Sequence, residues 1–184
     1  MKAFTVISET EDYRFRDRLS VLRARLGTPD GKETEWAYVK QNDVVAVIAF
    51  DDDMRIHIKR EWRLNRKDFV WELPSGFVEV SDPTERDILD TANRELQEEV
   101  GVKADHLTLL RTFYPSNHIS SRYHVVLATG LTESKLPYDE FEFVEAQKVP
   151  FGEASEKLLE GQIPTGLVIV ALECAKEYLK GKGD

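Results

Sequence analysis

Alternating apolar and polar positions near the amino terminus predict a small group of β-strands over residues 1–41. The segments that carry this pattern are AFTVIS, LSVLRARL and ETEWAYVK. In the second segment Leu22, Ala24 and Leu26 alternate with two arginines, which gives one apolar face and one basic face. Three strands bury too little apolar surface to be stable alone. We therefore expect them to pack either on the following domain or on a second copy of the chain.

From residue 42 onward the pattern changes, and residues 42–184 form a second, larger predicted domain. VVAVIAF is a continuous apolar run, typical of a strand that is covered on both faces. Further strands are predicted for RIHIKREW, for FVWELPSGFVEV, which Pro74 and Gly76 interrupt, for HLTLLRTFYP and for YHVVLATGL. Two helices follow, in FGEASEKLLEGQI and TGLVIVALECAKEYLKG. Strands on both sides of a central helix indicate a layered α/β domain.

The central helix has the strongest pattern in the chain. Asp82 is predicted to be its N-cap, with Pro83 at the first helical position. Gly101 is predicted to end it. Apolar residues recur at helical spacing between these limits, at Ile88, Leu89, Ala92, Leu96 and Val100.

Composition and charge restrict the partners of the protein. The chain has 184 residues, with 34 acidic and 25 basic side chains and a formal net charge of −9. This charge argues against binding to nucleic acid or to an anionic membrane. Cys174 is the single cysteine, so no intramolecular disulfide can form. The amino terminus lacks an apolar core of signal-peptide length, and the longest apolar runs are too short to span a bilayer, so we expect a cytoplasmic protein.

The segment RELQEEVGV places Glu95, Glu98 and Glu99 within five positions. Like charges at this spacing destabilise a helix. One interpretation is a solvated acidic face, which the pattern alone favours. The other is a site for a hard divalent cation, because three carboxylates at i, i+3 and i+4 lie on one side of a helix and Mg²⁺ prefers oxygen ligands.

With the preceding WELPSGFVE, this segment resembles the signature of the Nudix hydrolase family, G-x5-E-x7-R-E-U-x-E-E-x-G-U, in which U is aliphatic. Every specified position of its second half is matched, by Arg94, Glu95, Leu96, Glu98, Glu99, Gly101 and Val102. The first half departs, because Gly76 and Arg94 are separated by four more residues than the pattern has. The role of the first glutamate is thus left open among Asp82, Glu85 and Asp87.

The resemblance implies a fold, a metal and a reaction. The fold is a Nudix α/β/α sandwich with a mixed sheet, here preceded by a small N-terminal antiparallel β domain. The metal is Mg²⁺ or Mn²⁺, with Glu95, Glu99 and the Ser75 carbonyl as ligands and Glu98 beside them as a metal and catalytic residue. Arg94 braces the loop, and Gly76 and Gly101 have structural roles. The family cleaves a diphosphate joined to another group by attack of water at phosphorus.

The resemblance extends to the branch of the family that acts on ADP-ribose and other ADP compounds. Glu61-Trp62-Arg63 stands where this branch has a Gln-Tyr-Arg-like triplet, so only Arg63 is kept, as a candidate phosphate contact. The segment YPSNHISSRYH lacks the branch's Ser-Pro-Gly turn and is closer to hydrolases of a wider set of ADP compounds. It implies that Ser120 and Arg122 line the substrate pocket.

Two further roles are implied by the same branch. Its N-terminal strands pair two subunits, so a homodimer is expected, with Trp36 stacking on the adenine of the nucleotide in the neighbouring subunit's site; a packed strand tryptophan is the alternative. Glu140 and Glu142 lie in an acidic loop that supplies the general base, and the alternative for them is a charged loop edge.

The sequence therefore predicts a Mg²⁺-dependent hydrolase that releases AMP from ADP-ribose, together with ribose 5-phosphate. Alternatives from the same family are pyrophosphatases for diadenosine polyphosphates, NADH or a GDP-sugar. An alternative from another class is a Nudix-fold module that binds such a ligand without cleaving it. The insertion after Gly76 favours this last alternative, and the intact glutamates argue against it.

Overall fold

The computed structural model describes residues 2–137 and 143–181. The chain divides into two compact units. The first comprises Met1–Asn42 with Tyr114–Arg122, and the second comprises Asp43–Phe113 with Tyr123–Asp184.

The first unit is built on an antiparallel sheet of three strands in the order β1-β2-β3. The strands are β1 (Thr5–Phe15), β2 (Leu19–Gly27) and β3 (Glu33–Gln41). Ala24 and Leu26 are buried, as expected for the apolar face of β2, whereas β1 is exposed along its whole length. The segment 114–122 adds a parallel bridge, in which the amide of Val39 donates to the carbonyl of His118 at 2.8 Å.

The second unit contains a mixed sheet in the order β7-β4-β9-β8. Its strands are β4 (Val44–Ala49), β7 (Ser75–Phe77), β8 (Val102–Phe113) and β9 (Tyr123–Glu133). β4 runs parallel to β9 and antiparallel to β7, and β8 runs antiparallel to β9. β7 is a short edge strand, and it places Ser75 and Gly76 beside the central strand β4.

A smaller antiparallel sheet lies in the same unit, in the order β10-β5-β6. Its strands are β5 (Arg55–Arg63), β6 (Asp68–Glu72) and β10 (Val144–Pro150). The segment FVWELPSGFVEV is therefore divided between two sheets. Its first half forms β6 and its second half forms β7, with Leu73 and Pro74 buried at the crossing.

The mixed sheet lies between two layers, which confirms the predicted α/β/α sandwich. Val45, Val47 and Ala49 on one face of β4 pack with the central helix, α1 (Glu85–Glu95). The other face belongs to a core with α2 (Phe151–Ser155) and α3 (Gly166–Gly181). Burial on both faces explains why the run VVAVIAF does not alternate. No helix in the described part of the chain is long and apolar enough to cross a bilayer.

The start of α1 differs from the prediction. Its N-cap is Thr84, which forms a capping box with Asp87: the Thr84 hydroxyl accepts from the Asp87 amide, and the Asp87 carboxylate accepts from the Thr84 amide at 2.9 Å. Asp82 instead has a φ of 52° in the preceding connection. The predicted N-cap at Asp82 is wrong because two signals overlap in SDPTERD, and the reciprocal pair of hydrogen bonds is available only two residues later.

The end of the helix carries a local irregularity. Residues Leu96–Val100 continue α1 as a π-helical turn, in which the amide of Gly101 bonds to the carbonyl of Leu96. Gly101 has a φ of 73°, a conformation that favours glycine, and it ends the helix. Such π-turns occur often at functional sites. This one carries Glu98 and Glu99.

Candidate metal and active site

Two glutamates of the central helix face strand β7. Glu95 and Glu99 are both buried, with residue exposures of 6% and 1%. The Ser75 amide donates a hydrogen bond of 2.9 Å to Oε2 of Glu99. The Glu95 carboxylate lies directly over Gly76, where a Cβ atom would stand 2.0 Å from Glu95 Oε1. The glycine is therefore needed for space, and β7 and the helix form one site.

Arg94 pairs with two glutamates of its own helix. Its guanidinium contacts Oε1 of Glu95 at 2.7 Å and also Oε2 of Glu98. Partial burial disfavours the charge on Arg94, but Glu95, Glu98 and Glu79 more than offset this and raise the pKa of its guanidinium. Glu79, which lies between Gly76 and the helix, is thus an acid whose charge acts on Arg94, whereas Asp87, in the first turn of the helix, is engaged in the capping box.

Glu99, the third glutamate of the motif, has a different basic partner, Lys59 of β5. The Lys59 ammonium contacts Oε1 of Glu99, and it lies 3.0 Å from Oε2 of Glu61. Burial raises the pKa of Glu99, while Lys59 and the Ser75 amide oppose the rise. Burial disfavours the charge on Lys59 too, but Glu99 and Glu61 outweigh it and raise the pKa of the ammonium.

Arg63 extends this chain of charges along β5. Its guanidinium lies 2.9 Å from Glu61, and its Nε donates to Oε2 of Glu72 at 2.9 Å. Arg63 and Glu72 also line a cavity of about 200 Å³, with Arg66 and Trp71 among its other lining residues. An unbroken series of ion pairs therefore joins Glu99 to this cavity.

Sequence reasoning missed Lys59, Glu61 and Glu72 as parts of this site. Lys59, Glu61 and Arg63 occupy alternate positions of β5, so they share one face of the strand. Lys59 is opposite Glu72 in the pairing of β5 with β6. The charged residues recur at every second position of this strand, which could have indicated a shared face. The segment KREWR is equally typical of the solvated end of a strand.

The donor set fits a hard divalent cation. Glu95, Glu98, Glu99 and the Ser75 carbonyl offer oxygen atoms only, which Mg²⁺ and Mn²⁺ prefer. Burial is the main cause of the raised pKa of Glu99, and a cation bound beside this carboxylate would lower that pKa. Within residues 2–137 and 143–181, no three acidic, histidine or cysteine side chains already converge as a metal cage, because the glutamates are divided between Arg94 and Lys59.

The other predicted site residues lie in the first unit or outside the described residues. Trp36, Ser120 and Arg122 belong to the first unit. Trp36 is 57% exposed and its ring packs on Phe4, with centroids 5.1 Å apart. Ser120 is exposed, and its amide donates to the carbonyl of Val39. The two acids expected to include the general base, Glu140 and Glu142, lie outside the described residues.

Comparison with known proteins assigns the family. The NUDIX domain family model matches residues 40–167. The chain is 36% identical over 137 residues to an ADP-ribose pyrophosphatase of Bacillus subtilis, a match that covers 73% of this chain and 71% of that protein. It is 29% identical over 176 residues to the ADP compounds hydrolase NudE of Escherichia coli, covering 89% and 91% of the two chains.

A solved structure shows the same fold. The crystal structure of an ADP compounds hydrolase superposes with a TM-score of 0.82 at 23% identity, covering all of this chain and 97% of the other. The chain thus belongs to the Nudix family, and the protein is a Nudix hydrolase. Members of this family generally use divalent metal ions.

Proposed function

We propose that this protein hydrolyses the pyrophosphate bond of ADP-ribose or a related ADP compound with Mg²⁺, releasing AMP and, from ADP-ribose, ribose 5-phosphate. The observation that carries the proposal is the packing of Glu95 and Glu99 against Gly76 and Ser75. It supports a carboxylate site beside β7, because Glu95 and Glu99 still reach this strand despite the four extra residues in the signature. The choice of substrate is supported by the ADP-ribose pyrophosphatase and NudE relatives.

The central helix, with its π-helical turn, would hold the metal ion through Glu95, Glu98 and Glu99, and the Ser75 carbonyl would be a further ligand. When bound, the metal ion supplies charge neutralisation for the phosphates and makes water more acidic. The helix and β7 fix these donors on rigid elements, which is the main requirement of phosphoryl transfer. Ser75 contributes in addition by orienting Glu99 through its amide.

In the proposed reaction the oxygen of water forms a bond to one phosphorus and the bridging P–O bond breaks. Glu140 or Glu142 accepts the proton of the attacking water, and Glu98 assists at the metal. Arg63 contacts a phosphate oxygen. Its guanidinium has five N–H donors, so its bonds to Glu61 and Glu72 leave capacity for a phosphate.

The N-terminal sheet is proposed to pair two subunits and to supply the adenine contact. Large apolar side chains are exposed on and beside β1, at Phe4, Val6, Ile7, Tyr13 and Phe15. Exposed apolar surface of this kind favours an interface. Trp36 is proposed to stack on the adenine of the nucleotide in the neighbouring subunit's site, and Ser120 and Arg122 to line the pocket.

Replacing Trp36 by alanine is expected to raise the KM for ADP-ribose by about 5- to 150-fold with little change in kcat, since stacking of a base on an aromatic ring contributes about 1–3 kcal/mol. Trp62, another exposed strand tryptophan, provides the matched control. Equal effects of Trp36→Ala and Trp62→Ala would contradict the stacking role.

The proposed dimer is tested by sedimentation. Wild type and both variants should give twice the mass of one chain; a monomer would contradict the dimer.

The substrate assignment is tested with a panel of ADP-ribose, diadenosine polyphosphates, NADH and GDP-mannose, incubated with Mg²⁺ and separated by chromatography. ADP-ribose or another ADP compound should have the highest kcat/KM, and GDP-mannose the lowest. A preference for GDP-mannose would overturn the substrate class while leaving the metal chemistry intact.

A further inference from the structure

Lys59 is the only buried lysine among the residues that the structure describes, with an exposure of 1%. Its ammonium contacts Glu99, which is equally buried, and lies 3.0 Å from Glu61. Lysine is almost never buried without partners, because removing its charge from water is costly. Here the two carboxylates stabilise the charged form.

Both oxygens of Glu99 already have partners. Oε1 contacts the Lys59 ammonium, and Oε2 accepts from the Ser75 amide. A metal ion bound by Glu99 must therefore share this carboxylate with Lys59. Since a metal–oxygen bond is about 2.1 Å for Mg²⁺, the ion and the ammonium would be at most about 7 Å apart, whichever oxygen of Glu99 binds the ion. A single and a double positive charge at this distance repel each other even with the screening of bulk water. The repulsion weakens the binding of the metal ion roughly tenfold.

We propose that the positive charge of Lys59, which lies beside Glu99 in the carboxylate site, weakens the binding of divalent metal ions to the free enzyme. This inference rests on the proposed metal-dependent hydrolysis. The negative charge of a diphosphate would offset the ammonium, so the site loads its metal most fully when substrate is present. Lys59 thus acts on the metal ion through its position beside Glu99 and through its positive charge.

The direct test is titration of the substrate-free protein with Mn²⁺, followed by the electron paramagnetic resonance of the free ion. Lys59→Met and Lys59→Gln should each bind Mn²⁺ about tenfold or more tightly than wild type at one fixed pH. Lys176→Met makes the same change in net charge at a half-buried position of α3 and should leave the Kd unchanged. Thermal unfolding identifies any variant that fails to fold; the glutamine variant keeps a polar end group for Glu99.

The sign of the effect separates this role from a structural one. Loss of a lysine that only holds Glu99 in place would weaken metal binding, whereas loss of a competing cation strengthens it. Equal or weaker binding by both Lys59 variants, with binding by wild type retained, would overturn the inference alone. Failure of wild type and of all variants to bind Mn²⁺ would overturn it together with the proposed metal site.

Discussion

Glu99→Gln is expected to reduce the kcat for ADP-ribose by about 10³-fold, because a metal ion at this site contributes several kcal/mol to transition-state stabilisation. Glutamine preserves the shape of the side chain and can still accept the bond from the Ser75 amide, but it removes the charge that would hold the ion. Glu99 is also the most buried of the three glutamates of the motif, with an exposure of 1%. Solvent is therefore poorly placed to replace it.

The matched control is Glu173→Gln, which makes the same chemical change at an exposed position of α3, where Glu173 pairs with Lys176. Its kcat and KM should equal those of wild type. Steady-state kinetics with Mg²⁺ measures both variants under the same conditions. Retention of more than a tenth of the wild-type kcat by a well-folded Glu99→Gln protein would remove Glu99 from the metal site.

The second large effect is expected for Gly76→Ala. The new Cβ would stand 2.0 Å from Oε1 and 2.2 Å from Cδ of Glu95, so the carboxylate must move. The obstacle is the end of a flexible side chain, and Gly76 does not require a positive φ. The fold should therefore tolerate the substitution. Displacement of a catalytic group by about 1 Å costs on the order of 10²-fold in rate, and we expect a loss of that size.

Gly152→Ala is the appropriate control, because a Cβ at Gly152 meets no atom within 4 Å. Turnover of ADP-ribose and the midpoint of thermal unfolding should be measured together for both variants. The expected result is a large loss of turnover for Gly76→Ala with a nearly unchanged midpoint. Unimpaired turnover would show that the position of Glu95 is unimportant for the reaction.

The parts of the fold that follow from local pattern could be predicted from the sequence. The continuous run VVAVIAF predicts a doubly covered strand, and β4 contributes to the cores on both faces of its sheet. The stripe that includes Ile88, Ala92 and Leu96 predicts the packing face of α1, and all three are buried. In both cases one physical requirement, burial of apolar side chains, decides the outcome.

Features that depend on distant partners or on small local differences could not be predicted. β1 continues to Phe15 through polar residues, because pairing with β2 supplies its partners. The choice between Asp82 and Thr84 as N-cap depends on one reciprocal pair of hydrogen bonds. The π-helical turn after Glu95 changes how Glu98 and Glu99 are presented, and the 3.6-residue period does not reveal it.

The candidate site shows the same division. The sequence predicts the group of Glu95, Glu98 and Glu99, with a glycine and Ser75 upstream, because these residues are close in sequence. Lys59 is 40 positions from Glu99, and only the packing of β5 against the helix brings them together. A lysine within a run of charges reads as exposed until its surroundings are known.

The most direct test of the proposed hydrolysis is product analysis of ADP-ribose incubated with the protein in Mg²⁺ and, separately, in EDTA. We expect AMP and ribose 5-phosphate in equal amounts with Mg²⁺ and neither product with EDTA. Binding of ADP-ribose without cleavage, under conditions in which Mg²⁺ also binds, would contradict it. The protein would then be a Nudix-fold binding module whose insertion after Gly76 has disabled the reaction.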